Sequence, residues 1–167
     1  METGIDFEPL DKKHGPEVMA IFNHYVENGF AAYPEQRLPE EFFARFLEMT
    51  RGYPAYAMIK RATGTVAGFC FLRPYHPFPT FRATAEITYF IAPAEVGRGI
   101  GAAALELLEA GARKMGIRVI LADISSLNPG SISFHQRHGF CECGRFRGVG
   151  RKHGREFDVV WMQKEIG

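Results

Sequence analysis

Three glycines alternate with other residues in the middle of the chain, between a predicted strand and a predicted helix. Gly97, Gly99 and Gly101 follow a predicted strand over 84–91 and lead directly into a run of helical composition. The first backbone N–H groups of a helix have no intrahelical partners, and the helix dipole adds partial positive charge there. Glycines lack a Cβ and allow close approach to this backbone, while Arg98 adds a cation between them. The spacing therefore predicts a phosphate-binding turn.

Other interpretations of this turn remain open at this point. A P-loop requires Gly-x-x-x-x-Gly-Lys-Ser/Thr, and the turn has no such Lys-Ser/Thr pair. A dinucleotide-binding pattern fits loosely as Gly97-x-Gly99-x-x-Ala102, with Asp123 near the distance expected for ribose binding. However, residues 92–96 separate the strand from the first glycine. An ordinary glycine-rich turn that binds nothing is the structural alternative.

A carboxylate lies on the strand that leads to this turn. Glu86 precedes Ile87, Tyr89 and Ile91, whose alternation predicts a strand with one apolar face. Partial burial beside a cleft would raise the pKa of Glu86 toward the range that is useful for a general base. The alternative is a structural carboxylate paired with an arginine.

The remaining segments predict the elements that position these groups. Their order, β-α-α-β-β-β-α-β-α-β-β, predicts a mixed sheet with helices on both faces. Strands are predicted at 5–9, 53–61, 66–72, 119–124, 140–149 and 157–162, and further helices open at Gly15, Pro39 and Ser131.

Composition limits the class of protein. The chain has 167 residues, of which 46% are hydrophobic, so we expect one domain over 1–167 with a substantial core. The formal charge of +1 without a basic tract gives no indication of a nucleic-acid partner. The three cysteines form no disulfide framework, and no apolar run suits a signal peptide or membrane span. A cytoplasmic protein without a membrane partner is the simplest expectation.

A second informative segment follows the predicted fifth strand. The run from Asn128 to Phe140 resembles the pattern Asn-x-x-Ser/Ala-x-x-Leu/Phe-Tyr/His-x-x-x-Gly-Phe/Tyr of the GNAT superfamily of N-acetyltransferases. Together with the glycine turn, the resemblance covers most of the second half of the chain. Three other segments resemble the phosphinothricin and methionine sulfoximine acetyltransferase branch: Ile21-Phe-Asn-His-Tyr-Val26, Phe81-Arg82, and His153-Gly-Arg155 with Asp158-Val159.

The resemblance implies both a fold and a donor. The implied fold is α/β, with a central mixed, mostly antiparallel sheet of about seven strands, helices on both faces, and fourth and fifth strands that splay apart. The implied acetyl donor is acetyl-CoA, and no metal is implied. The residues expected to bind this cofactor are Tyr89, Phe90, Ile91, Gly97, Arg98, Gly99, Ile100, Gly101, Ala102, Asn128 and Ser131.

The implied reaction is direct transfer of the acetyl group to a primary amine. Glu86 is expected to act as general base, and a backbone N–H near Ile91 as the oxyanion donor. His135 is expected either to protonate the departing thiolate or to contact pantetheine, with plain helix packing as the alternative. A metal site is a further alternative, since His135, His138, Cys141 and Cys143 have tolerable ligand spacing.

The acceptor is expected to be a small amino acid or an analogue of one. The segment 73–82 holds three prolines and four aromatic rings, so we expect a stiff loop that overhangs the cleft. Arg82 is the expected clamp for the acceptor's carboxylate. The pattern departs from the family at Val96, where Gln or Arg is usual, and at His76, which is nearest to an expected arginine. The expected acceptor-binding residues are Phe30, Tyr33, His76, Phe81, Arg82 and Ala83.

Alternatives at the level of function also remain. The family implies a homodimer. A GNAT enzyme could instead act on a polyamine, an aminoglycoside or a protein N-terminus, although Arg82 argues against a cationic acceptor. A domain that binds acyl-CoA as a sensor, without turnover, is the non-enzymatic alternative.

Overall fold

The computed structural model describes residues 3–167. Within them, no helix combines the length and the apolar composition that a membrane span needs. The strands are β1 (Ile5–Pro9), β2 (Ala55–Lys60), β3 (Val66–Pro74), β4 (Thr84–Ile91), β5 (Val119–Ser125), β6 (Cys141–Lys152) and β7 (Arg155–Glu165). The α-helices are α1 (Gly15–Glu27), α2 (Phe43–Met49), α3 (Ile100–Lys114) and α4 (Pro129–Arg137).

The strands form one seven-stranded sheet in the order β1-β2-β3-β4-β5-β7-β6. All neighbouring strands are antiparallel except β4 and β5, which are parallel. Their pairing covers only Thr84–Glu86 against Val119–Leu121. Beyond Glu86, no ladder within residues 3–167 joins the two strands, so they diverge and open a cleft in the middle of the sheet. This architecture confirms the predicted fold class.

Alternation along β4 assigns its side chains to two different layers. Ile87 and Tyr89 belong to the core that packs against α3, here called the α3 face. Phe90 belongs to the core formed with α1 and α2, here called the α1 face. Glu86 lies four residues before Phe90 on the same strand, so its side chain also points to the α1 face. Two separate cores therefore pack against β4, one on each face of the sheet, and side chains from both faces border the cleft between β4 and β5.

The α1 face is held together largely by aromatic rings. Phe69 and Phe71 on β3 are 0% and 2% exposed, and both contact Phe46 of α2 at centroid distances of 5.7 and 5.6 Å. Burial of each such ring contributes roughly 1.5–3 kcal/mol. This packing fixes β3, and with it the position of Arg73 at its end.

Several element boundaries differ from those predicted, among them the start of α4 at Pro129 rather than Ser131. The second helix begins with a 3₁₀ turn at Glu40–Phe42 and becomes α-helical only from Phe43. Strands β6 and β7 extend beyond the apolar residues from which they were predicted. Most of β6 is exposed, and its polar residues continue to pair with β7. Their turn is confined to His153 and Gly154, which have φ of 50° and 74°. Two successive positive φ values suit a tight hairpin between twisted strands.

Candidate active site

The glycine turn at the start of α3 has the geometry of an anion-binding site. Gly97 and Gly99 have φ of 82° and 79°, a conformation that residues with a Cβ rarely adopt. Gly99 is the N-cap and supplies no side-chain cap. The N–H of Ala103 donates to the Gly99 carbonyl at 3.1 Å. The amides of residues 100–102 therefore precede the helical bonding pattern and are available to an anion.

Arg98 lies at the edge of this turn. Its Nη1 pairs with Oε2 of Glu95 at 3.2 Å, and its side chain is exposed. Glu95 is buried and also accepts from Lys60 Nζ at 2.7 Å, a bond that lowers the pKa of the Glu95 carboxyl. A phosphate would compete with Glu95 for Arg98. Val96, beside it, is 58% exposed and offers no polar group.

Gly101 serves packing as well as access. A Cβ on Gly101 would lie 3.4 Å from the Phe134 ring and 3.5 Å from Cδ1 of Ile91, so α3 approaches α4 and β4 closely there. Two other predicted cofactor-binding residues direct their side chains into the cores: Ile100 is 2% exposed, and the half-buried Phe90 ring packs 5.3 Å from that of Phe22. Ile100 can therefore contact a coenzyme only through its main chain. Ala102 remains half-buried beside Gly101.

The end of β4 offers backbone donors to the cleft. The N–H of Ala92 donates to Ala67 on the β3 side at 2.7 Å. Because successive backbone groups of a strand alternate in direction, the groups of Ile91 point to the opposite, β5 side. The Ile91 carbonyl accepts from the Tyr25 hydroxyl at 2.5 Å. The Ile91 N–H thus faces the opening between β4 and β5, where an oxyanion donor was predicted.

Tyr89 and His135 form a buried pair on the α3 face. The Tyr89 hydroxyl contacts Nε2 of His135, and Nδ1 of His135 lies 2.7 Å from the carbonyl of Ser131. The carbonyl can only accept, so Nδ1 carries the proton and Nε2 accepts from the tyrosine. Burial lowers the pKa of His135 and raises that of Tyr89. Both groups are therefore neutral at neutral pH.

Asn128 is the N-cap of α4. Its Oδ1 accepts from the N–H of Ser131 at 3.4 Å, and its own N–H donates to the Ser125 carbonyl at 2.9 Å. Because the cap uses the oxygen of the amide, a ligand would meet the Nδ2 donors. The start of α4 is thereby fixed at the wide end of the cleft.

Glu86 is paired on the α1 face with an arginine that the sequence analysis did not select. Arg73 is its direct partner across β3 and β4, and Nη2 lies 2.5 Å from Oε2 of Glu86. Glu86 is 8% exposed. Burial raises the pKa of the Glu86 carboxyl, whereas the charge of Arg73 lowers it. The charge of Asp123 raises it again, and the pKa of Glu86 lies above its ordinary value. The place of Arg73 opposite Glu86 depends on the length of the turn between β3 and β4, so no local sequence pattern indicated this arginine.

A second carboxylate faces Glu86 across the opening. Asp123 lies on β5, two residues beyond the last β4–β5 pair, and its Oδ2 accepts from the Tyr33 hydroxyl at 2.9 Å. Burial of its ring and the charge of Asp123 raise the pKa of Tyr33, which keeps the hydroxyl protonated. Asp123 thus lies on the α1 face, away from the helix start where the dinucleotide-binding alternative would need it. That alternative is also incompatible with the mostly antiparallel sheet.

The segment that carries Phe30 and Tyr33 is fixed to the β6–β7 hairpin. The Tyr33 ring stacks on Phe157 at 6.0 Å, and the Phe30 ring contacts the same residue at 6.0 Å. Lys152 is 1% exposed, and its Nζ donates to the carbonyls of Ala32 at 2.7 Å and Tyr25 at 3.3 Å. A buried lysine therefore holds this segment against the sheet.

The predicted overhanging loop is compact and exposed. The His76 ring lies 4.8 Å from that of Phe81 and 5.1 Å from that of Phe78, which is 64% exposed. Arg82 follows a 3₁₀ turn and is exposed, while the Ala83 carbonyl accepts from the N–H of Arg118 at 2.8 Å. Arg82 and Ala83 thus lie at the closed end of the cleft.

The metal alternative finds no support in the geometry. Within residues 3–167, no group of three or more His, Cys, Asp or Glu side chains is arranged to hold a metal ion. His135 is occupied by Tyr89 and Ser131, whereas Cys143 donates to the carbonyl of Trp161 at 3.3 Å.

Comparison with known proteins decides the family. The model of the acetyltransferase (GNAT) family matches residues 18–140. The chain belongs to the GNAT acetyltransferase family. An L-methionine sulfoximine/L-methionine sulfone acetyltransferase of Pseudomonas aeruginosa is 33% identical over 153 residues, which span 90% of this chain and 88% of the relative. A phosphinothricin N-acetyltransferase of Alcaligenes faecalis is 31% identical over 153 residues, or 90% and 77% of the two chains.

A solved relative agrees with this GNAT chain in fold. A phosphinothricin acetyltransferase of Sinorhizobium meliloti, determined in complex with acetyl-CoA, superposes with a TM-score of 0.90 at 29% identity. The superposition covers 98% of this chain and 89% of the relative. Family membership confirms the predicted enzyme class, and the bound coenzyme of the relative agrees with the predicted acetyl donor.

Proposed function

We propose that this GNAT enzyme transfers an acetyl group from acetyl-CoA to the primary amine of a small amino acid or an amino-acid analogue. The observation that carries the proposal is the division of the cleft. The glycine turn of α3 and the Ile91 N–H serve one side, and Glu86 lies on the other side with Arg73. The names of the methionine sulfoximine and phosphinothricin acetyltransferases support the choice of acceptor.

The donor side is suited to a coenzyme diphosphate. The free amides of residues 100–102 and the adjacent positive φ values of Gly97 and Gly99 provide the cradle. Arg98 can exchange Glu95 for a phosphate oxygen. Asn128 can donate from Nδ2 to a carbonyl of the pantetheine arm. Acetyl-CoA supplies the thioester that is attacked.

The acceptor side is suited to removing a proton. An α-amine with a pKa near 7.7–8.0 is partly protonated at neutral pH, so the base has a modest task. Glu86 takes that proton directly or through a water, since burial raises its pKa while the charge of Arg73 favours the ionised carboxylate. The nitrogen then attacks the thioester carbonyl, and the Ile91 N–H stabilises the oxyanion. Collapse of this tetrahedral intermediate breaks the C–S bond and releases the CoA thiolate, while the nitrogen loses its remaining extra proton to water. No covalent enzyme intermediate is needed.

His135 acts as a positioning residue in this scheme. A neutral imidazole with its proton on Nδ1 has none on Nε2 to give to a thiolate. Tyr89, with a pKa raised above its usual value, is a weaker acid than a thiol and is also a poor donor. The pair instead fixes Tyr89 and the start of α4 beside the coenzyme path, and the thiolate takes its proton from solvent.

The test measures thiol release from acetyl-CoA with a panel of amino acids, methionine sulfoximine, phosphinothricin, polyamines and aminoglycosides. We expect turnover with amino acids or their analogues. Glu86→Gln should lower kcat by roughly 100-fold or more, which is the usual contribution of a general base. Its matched control is Glu106→Gln, an exposed carboxylate on α3.

Two results would contradict the proposal. Coenzyme binding without thiol release for any amine would favour the sensor alternative. An unchanged kcat in Glu86→Gln across the pH range would remove the base assignment but leave the transferase. The homodimer remains a prediction from the family, and sedimentation tests it.

A further inference from the structure

Asp123 is a carboxylate in the acceptor cleft whose charge the protein leaves unbalanced. Glu86 has Arg73 at 2.5 Å, whereas Asp123 receives a neutral hydrogen bond from Tyr33 at 2.9 Å. No lysine, arginine or histidine side chain among residues 3–167 forms an ion pair with Asp123. It is half-buried, so water only partly solvates it. A carboxylate in this setting stabilises a nearby cation more than an exposed one does.

The position of Asp123 directs that charge at the acceptor. Beyond the pair Glu86–Leu121, β4 and β5 separate, and Asp123 is on the α1 face of the widening gap. Tyr33 interacts electrostatically with both Asp123 and Glu86, so the three groups share one space. The Tyr33 ring stacks on Phe157, and its hydroxyl donates to Asp123.

Two neighbouring nitrogens do not contribute to this cleft. Trp161 is the direct partner of Asp123 across β5 and β7, and its indole nitrogen is buried without an acceptor among residues 3–167. The same holds for Nε of Arg73 on the far side of Glu86. Both nitrogens are closed to solvent, so the group that the cleft offers to a cation of the acceptor is Asp123.

We propose that Asp123 is a specificity residue that binds a second cationic group of the acceptor, so that the preferred acceptors are amino acids with a positively charged side chain. This inference rests on the proposed transferase function and narrows its substrate class. The acceptor's carboxylate can still contact Arg82 or Arg73. The expectation that Arg82 disfavours a cationic acceptor therefore applies only to acceptors that have no carboxylate. Asp123 takes no part in proton transfer.

The experiment compares acceptors that differ only in the terminal amine. Ornithine is paired with norvaline and lysine with norleucine, and kcat/KM is measured by thiol release from acetyl-CoA. A charged hydrogen bond predicts that the wild-type protein prefers the diamino acid by roughly 10- to 100-fold. In Asp123→Asn the amide oxygen can keep the Tyr33 bond while the charge is lost, so the ratio should fall toward one. In the control Glu106→Gln it should stay at the wild-type value.

The outcomes separate this inference from the proposed function. The inference is overturned if the wild-type protein shows no preference within the pairs, or if Asp123→Asn keeps the wild-type ratio. Because the ratio is taken within one enzyme, a general loss of activity cancels. If no amine reacts, the transferase proposal fails, and calorimetry of ornithine and norvaline with the CoA-bound protein still tests the Asp123 site. Tighter binding of ornithine would support the site, and equal binding would refute it.

Discussion

Removal of Arg73 should raise the pKa of Glu86 and move the pH dependence of catalysis. In Arg73→Met the Glu86 carboxylate, which is 8% exposed in the wild-type protein, loses the cation 2.5 Å from its Oε2. Two unit charges 4 Å apart interact by about 4 kcal/mol at an effective dielectric constant of 20. The Arg73 side chain is 37% exposed, so solvent screens part of this interaction. We take roughly 1.5–2.5 kcal/mol, which equals about 1–2 pKa units.

The sign of the change follows from which form the cation stabilises. Arg73 favours the ionised carboxylate, so its loss favours the protonated form and the pKa of Glu86 rises from a value that burial already holds above 4.5. Because Glu86 accepts the proton of the ammonium, the logarithm of kcat/KM should have a slope of zero between the pKa values of Glu86 and the free amine, and a slope of one below that of Glu86. The break between the two slopes should move upward by about 1–2 pH units in Arg73→Met.

The assay is thiol release from acetyl-CoA at saturating donor between pH 5 and 9. Titration of the Glu86 carboxyl carbon by NMR gives the same pKa without turnover. Arg113→Met is the matched control, because it removes an arginine paired with Glu109 on the α3 face. A break at the same pH in Arg73→Met and wild-type protein would refute the reasoning, as would an unchanged NMR titration.

Three further variants test other parts of the site. Gly99→Ala should weaken acetyl-CoA binding by about 1 kcal/mol or more, because an alanine is strained at φ of 79°; calorimetry measures this, and Gly64→Ala, with φ of 72° in the β2–β3 turn, is the control. Lys152→Met should lower the free energy of unfolding by about 1–3 kcal/mol and raise KM for the acceptor, because the buried Ala32 carbonyl loses its donor; urea titration and kinetics check both. His135 has a folded-state pKa below 6.5, so the unfolded state binds more protons there and wild-type stability should fall as the pH drops below 6.5. His135→Gln should lack this dependence, which thermal unfolding at several pH values measures. If stability fell as steeply below pH 6.5 in His135→Gln as in the wild-type protein, His135 would not be the cause.

Features that depend on neighbouring residues in the chain were accessible from the sequence. The alternation of Ile87, Tyr89 and Ile91 fixed one face of β4, and the glycine spacing located the start of α3. The helix predicted to open at Ser131 corresponds to α4, although the structure begins it at Pro129 with Asn128 as its N-cap. Each of these patterns acts within one or two turns or strands, so local physics determines it.

Features that depend on register were not accessible in the same way. The Arg73–Glu86 pair requires the number of residues that the 3₁₀ turn at 79–81 adds between β3 and β4. The Tyr33–Asp123 bond joins residues separated by 90 positions and depends on Lys152 and Phe157 to hold the Tyr33 segment. The burial of these groups follows from tertiary packing, which no spacing rule contains.

The short pairing of β4 with β5 connects these observations. A sheet that stayed paired would bury the backbone groups of β4 in its own hydrogen bonds and bring the two strand edges together. Because pairing stops at Glu86, the Ile91 N–H can face a ligand, and side chains of both layers border one opening. In the proposed reaction, the α3 face provides amides for a diphosphate, and the α1 face provides Glu86 and Asp123 for an amine. Donor and acceptor would then meet inside the opening, with the thioester carbonyl between the proposed base and the proposed oxyanion donor.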